Sequence, residues 1–158
     1  MPKTRSKTAS AIELLKEDHE KVRKAFLQFD KMDRSDIETA RELIGAVCAE
    51  LRVHSTVEEE IFYPAVRAAI DDEDLMNEAA VEHETAKMLI EQLENMGPDD
   101  PNYFATFTVL GEYVMHHVKE EEGEMFPQAR KAKALDLEAL GEQMKTRKDQ
   151  LGAGMARA

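Results

Sequence analysis

Apolar residues recur through most of this chain at spacings of three and four, the period of helices that bury one face. Ile12, Leu15, His19, Val22, Phe26 and Phe29 make the first stripe, with Lys16, Glu17, Glu20 and Lys24 on the opposite side. Ser10 and Glu13 mark its start, spaced as a capping box in which each side chain satisfies a free backbone donor. Ser35 and Glu38 repeat that spacing ahead of a second stripe, Ile44, Val47, Leu51, His54, Glu58 and Ile61. Pro64 kinks or redirects this helix, since proline lacks an amide hydrogen and crowds the preceding turn; the pattern resumes from Arg67 to Ile70. Asp71 to Asp74 supply caps and favourable charge for a third helix with Leu75, Ala79, His83, Ala86, Ile90 and Leu93 inward. The stretch from Gly97 to Pro101 stops it. Asp100 is placed to cap a fourth helix and Pro101 to take its first position, with Phe104, Phe107, Leu110, Val114, His117 and Glu121 inward. Pro127 ends or bends that helix as Pro64 does the second. From about Asp136, Leu137, Leu140 and Met144 predict a short amphipathic helix covering one end, followed by a frayed tail.

The second and fourth helices end in one motif written twice. HSTVEEEIFYP from His54 and HVKEEEGEMFP from His117 align without a gap, pairing Glu58 with Glu121, Glu59 with Glu122 and Pro64 with Pro127. A further histidine lies upstream of each copy, His19 and His83. The expected fold is therefore all-α, an up-and-down four-helix bundle built from two duplicated hairpins, plus the short C-terminal helix. A turn at Gly97 to Pro101 sets His83 roughly opposite His117, whereas the first hairpin leaves His19 about a turn out of step with His54. The boundaries read as a disordered basic tail over 1–9, the bundle over 10–130, and the C-terminal helix with its tail over 131–158.

Composition narrows the function. A chain of 158 residues fits one domain with a self-sufficient core, and 34% charged residues with no tryptophan suit a helical bundle. The net charge of −12 argues against nucleic acid and anionic membranes, which need a basic face, and leaves metal cations or basic partners. One cysteine, Cys48, excludes an intramolecular disulfide framework, and no signal peptide is legible, so a reducing cytoplasm is expected. No apolar run approaches membrane-spanning length.

The chemistry sits on the apolar stripes. Each of the four helices turns one histidine inward, and two add a glutamate one helical turn later, on the same face. Buried carboxylates must be neutralised, shifted in pKa or bound to cations, and one metal-binding core would satisfy His19, His54, Glu58, His83, His117 and Glu121 together. A polar core of His–Glu hydrogen bonds is the metal-free alternative. Imidazole with carboxylate suits iron, manganese or zinc. His116, Glu59 and Glu122 point off the stripe and read as solvated or supporting groups; Tyr113 and Cys48 read as packing residues.

The single histidines, the doubled His-x-x-x-Glu-Glu and the Phe-Pro ending resemble the hemerythrin-like, or HHE cation-binding, family over roughly Ser10 to Arg130. That resemblance implies a four-helix bundle around two iron ions bridged by an oxo or hydroxo group. His19, His54, His83 and His117 would be terminal ligands, with Glu58 and Glu121 bridging. Oxygen-carrying members add a histidine one turn after the third-helix ligand, where this chain has Lys87; the resulting open positions favour reactivity or sensing over reversible carriage. The implied functions are binding or sensing of O2, NO, peroxide or iron, with a separate signalling partner, or enzymatic peroxide decomposition. A metal-free helical interaction module is the remaining class. The Glu-x-x-His signature of ferritin-like proteins is absent, as is HExxH.

Overall fold

The structure is a computed structural model describing residues 9–157, with side chains described through Gly152. The expected basic tail falls almost wholly on residues 1–8, outside the described part. Every regular element among the described residues is helical: α1 Ala11–Lys31, α2 Ile37–Val57, a first π-turn Glu58–Phe62, α3 Tyr63–Ala69, α4 Glu73–Asn95, α5 Tyr103–Glu120, a second π-turn Glu121–Met125, α6 Phe126–Lys131 and α7 Leu137–Arg157. α1 packs on α2, α2 on α4, α4 on α5 and α5 on α1, closing the four-helix bundle. No helix among the described residues is long and apolar enough to cross a membrane.

The caps show how local chemistry sets these boundaries. Ser10 and Glu13 form the expected capping box, their reciprocal bonds measuring 3.3 and 2.9 Å. The second box does not form. Asp36 caps α2 by accepting from the amide of Thr39, because Ser35 is already engaged with Asp33 through both its amide and its hydroxyl. Asp72 caps α4 from within the acidic cluster. The fourth helix begins at Tyr103, later than expected: the Asp100 carboxylate accepts the amide of Asn102 at 2.8 Å, which closes a turn around Pro101 and leaves Asn102 as the cap position.

α7 is longer than the short helix expected, 21 residues opened by Asp136, whose carboxylate accepts the amide of Ala139. It lies along α1 and α2 and against the first π-turn, and buries Leu140 and Met144. The core divides in two. One cluster, with Leu15, Phe62, Met76 and Phe126, fills the end covered by α7; the other, with Val22, Phe29, Leu51, Phe107 and Leu110, fills the end of the interhelical turns. Along the helices a polar layer of His19, His54, Glu58, His83, His117 and Glu121 falls between the two clusters.

Candidate metal centre

The two helices that lead into the candidate glutamates change their winding there. Pro64 and Pro127 cannot donate a backbone hydrogen bond, and just before each the helix widens into a π-turn. The amide of Tyr63 bonds back to the carbonyl of Glu58, and that of Phe126 to Glu121, so residues five apart come to stack. Tyr63 thereby sits over Glu58, with its hydroxyl 3.1 Å from Glu58 Oε1. Periodicity of three and four cannot anticipate that placement.

All six sequence-predicted residues converge in the polar layer. His19 Nε2 lies 3.0 Å from Glu121 Oε1, and His117 Nε2 lies 3.4 Å from Glu121 Oε2. Glu58 Oε1 lies 3.3 Å from His54 Nε2 and 2.9 Å from His83 Nε2. Each glutamate thus straddles one histidine from each half of the bundle. The donors fall into two lobes, His19, His54, Glu58 and Glu121 in the first and Glu58, His83 and His117 in the second, with ligand atoms in each lobe within 4.8 Å of one another. The imidazoles pair accordingly: the rings of His19 and His54 are centred 5.1 Å apart, and those of His83 and His117 5.0 Å apart. The offset expected in the first hairpin does not keep His19 and His54 apart.

Three buried donor atoms, His19 Nε2, Glu58 Oε2 and Glu121 Oε1, have no hydrogen-bond partner. His19 Nε2 and Glu121 Oε1 are close without being aligned for a hydrogen bond. Unpartnered polar atoms in a dry core are expensive, and their convergence fits residues arranged around a cation.

Behind the centre, every histidine rests on a further carboxylate through Nδ1. Glu122 holds His19 at 2.7 Å, Asp18 holds His54 at 2.9 Å, Glu59 holds His83 at 2.7 Å and Glu82 holds His117 at 2.6 Å. Since a carboxylate only accepts, each Nδ1 donates its proton and each Nε2 is left to face the centre, the nitrogen that could ligate a cation. The arrangement repeats with the sequence. The residue before each upstream histidine, Asp18 or Glu82, supports the histidine of the doubled motif, while Glu59 and Glu122 support the upstream histidines. Glu59 and Glu122 are therefore supporting partners rather than members of a solvated face. The visible signal is that both copies of the repeat keep them.

Burial works against charging these imidazoles, but the surrounding carboxylates prevail. Glu58 and Asp18 raise the pKa of His54 to about 10, and Glu121 and Glu82 raise that of His117 to about 11. His83 is raised as well, by Glu58 and Glu59 against the pull of burial. Burial likewise opposes ionisation of Glu58, yet His54 and His83 hold it well below the ordinary carboxylate range. Without a metal, protons on His54, His83 and His117 balance the buried carboxylates.

Tyr63, like Asp18 and Glu82, is not anticipated by the stripe or the repeat. It is buried, and its hydroxyl donates to Glu121 Oε2 at 2.5 Å while lying 3.0 and 2.9 Å from Nε2 of His83 and His117. Burial together with Glu121 and Glu58 pushes its pKa well above the usual phenol value, keeping the proton in place. Phe126 occupies the equivalent position in the second copy, so the break in the repeat is the signal that could have found it. Tyr113 is half exposed at a small cavity beside the centre rather than packed in the core. Lys87 turns away from the centre and donates to Glu59 at 2.8 Å, reinforcing the support of His83. His116 is exposed, 3.8 Å from Glu82 and 3.4 Å from Glu120. Burial pushes the Cys48 thiol up to about 12, consistent with a small packed hydrophobe.

Comparison with known proteins agrees with this layout. Residues 10–154 match the hemerythrin HHE cation binding domain family. The crystal structure of a hemerythrin HHE cation binding domain-containing protein from Mycobacterium kansasii is similar with a TM-score of 0.79 and 27% identity, covering 94% of this chain and 91% of that one. A protein of a Nostoc species described as a DNA nickase is 30% identical over 114 residues, 72% of this chain. That stretch is 32% of the nickase, so the chain spans about a third of the relative's length. With its repeated His and Glu set inside a four-helix bundle, this chain belongs to the hemerythrin HHE cation-binding domain family.

Proposed function

We infer that the chain holds two iron ions, one in each lobe, and binds or senses a small ligand such as O2, NO or peroxide beside them. His19 and His54 would serve the first ion and His83 and His117 the second, with Glu58 and Glu121 shared between them. Bound iron would supply redox change and open positions for the small ligand. The protein's part is to exclude water, fix each Nε2 and keep the carboxylates ionised. The observation that carries the small-ligand reading is a cavity of about 40 Å³ lined by all four histidines together with Val22, Leu51, Ala86, Ile90, Val114 and Val118. Such a space admits a molecule of two or three heavy atoms and little more, and its aliphatic wall suits an apolar gas.

One observation favours an enzymatic reading. Tyr63 places a protonated phenol within hydrogen-bonding reach of the second-lobe donors, where it can donate a hydrogen bond to a bound oxidant. A peroxide-decomposing enzyme would use that hydrogen bond to stabilise developing charge; a sensor would not require it. The nickase activity belongs to a much longer relative, and the charge of −12 argues against carrying a nucleic-acid substrate over to this chain. Iron-loaded protein should change its absorption spectrum on adding O2 or NO without consuming a co-substrate. Sustained hydrogen peroxide breakdown that falls at least tenfold in Tyr63→Phe would favour the enzyme, and no response to any of the three would reject both.

A further inference from the structure

Of the four carboxylates behind the histidines, two are gripped from outside by lysines. Lys87 on α4 holds Glu59, and Lys148 on α7 reaches Asp18. The second contact crosses from α7, which lies outside the duplicated hairpins, to the edge of the centre. Lys148 Nζ lies 2.5 Å from Asp18 Oδ1, and Asp18 Oδ2 lies 2.9 Å from His54 Nδ1. Opposite oxygens of one buried carboxylate therefore join an ammonium to a candidate ligand. Burial opposes ionisation of Asp18, but His54 and Lys148 together hold its pKa below the ordinary value.

The next residue strengthens the connection. Arg147 grips Glu60 in the first π-turn through Nε at 2.8 Å and Nη2 at 3.2 Å. Adjacent residues of α7 thus hold the helix carrying Asp18 and the turn carrying Glu58. The duplication supplies a contrast. The counterpart of Asp18 is Glu82, which faces the exposed imidazole of His116 instead.

We propose that Lys148 is a positioning residue for the first lobe, acting through Asp18 to hold His54 with its Nε2 toward the centre. α7 is then more than a cover: through Lys148 it bears on His54, a donor of the first lobe alone. An unanchored Asp18 can rotate toward solvent, and His54 loses the acceptor that fixes its ring. Losing such a support commonly weakens a metal site by 10- to 100-fold.

The metal arm of the test rests on the metal-binding reading above; the second arm does not. Ferrous iron is titrated anaerobically against a competing chelator. Lys148→Met should weaken one of the two binding events about tenfold and leave the other unchanged, while Lys148→Arg restores it. In an Asp18→Asn background Lys148→Met should add no further loss. Lys145→Met removes an exposed pair with Asp149 on the same helix and should change nothing. In metal-free protein carrying 15N-labelled histidine, the His54 Nδ1 resonance should move in Lys148→Met while that of His83 stays. An unmoved His54 resonance, or an equal loss in the Asp18→Asn background, overturns the proposal. Wild-type protein that binds no ferrous iron rejects the functional reading, and the His54 resonance still decides whether Lys148 acts through Asp18.

Discussion

Burying two glutamates and four histidines in an apolar core is costly unless charge is balanced, and in the metal-free chain protons do the balancing. The consequence for pH follows from the sign of each shift. The raised pKa values of His54 and His117 contribute stability that is complete below their ordinary value of 6.5 and is lost as pH rises toward about 10 and 11. The lowered pKa of Glu58 contributes stability present above its ordinary 4.5 and lost as pH falls below it. These are two sides of one set of interactions. Metal-free protein should therefore melt highest between about pH 4.5 and 6.5 and progressively lower from 6.5 to 10, as followed by circular dichroism. A flat profile over that upper range would show that these imidazoles are not protonated in the fold. Metal must displace the same protons, so its affinity should rise over the interval in which apo stability falls. The six inward side chains are legible in the sequence because they lie on the helical stripe. The supporting ring is harder to read, since Asp18, Glu59, Glu82 and Glu122 sit at positions that periodicity assigns to solvent.

At the scale of elements, the helices are legible from their stripes and most of their ends from caps, but the π-turns are not. Pro64 and Pro127 announce that the helix must change there, and the sequence leaves open whether it breaks, kinks or widens. Widening keeps Glu58 and Glu121 on the inner face and adds Tyr63, an outcome that depends on tertiary contacts across the bundle. α7 is similarly underread. Its apolar positions Leu140 and Met144 predict an amphipathic helix, whereas its side-on packing against α1 depends on Gly141, where the two backbones approach closely. A Cβ there would stand 2.3 Å from the Ala9 carbonyl oxygen and 2.9 Å from the Ala11 amide nitrogen. Neither can yield by turning a side chain. Gly141→Ala should push α7 away from α1 and cost about 1–3 kcal/mol in denaturant unfolding; an unchanged midpoint would mean that α7 docks loosely.

At the scale of the molecule, the duplicated sequence becomes a duplicated structure: two lobes, two glutamates that each lie between histidines of both halves, and four supported histidines. The copies have diverged where function is expected to differ. Tyr63 faces the second lobe where Phe126 is its counterpart, and Lys148 braces the first lobe where the opposite support, Glu82, meets His116. Chemical asymmetry on a symmetric frame would give two bound ions unequal surroundings, one braced by Lys148 of α7 and one beside a phenol. The proposed function rests on both lobes taking metal. The direct measurement is elemental analysis of protein from iron-supplemented cells, wild type beside Glu58→Ala, which removes the carboxylate common to both lobes. Two irons per wild-type chain, with neither lobe filled in the variant, is the predicted result. One iron, zinc alone, no metal, or an undiminished pair of irons in Glu58→Ala would contradict it.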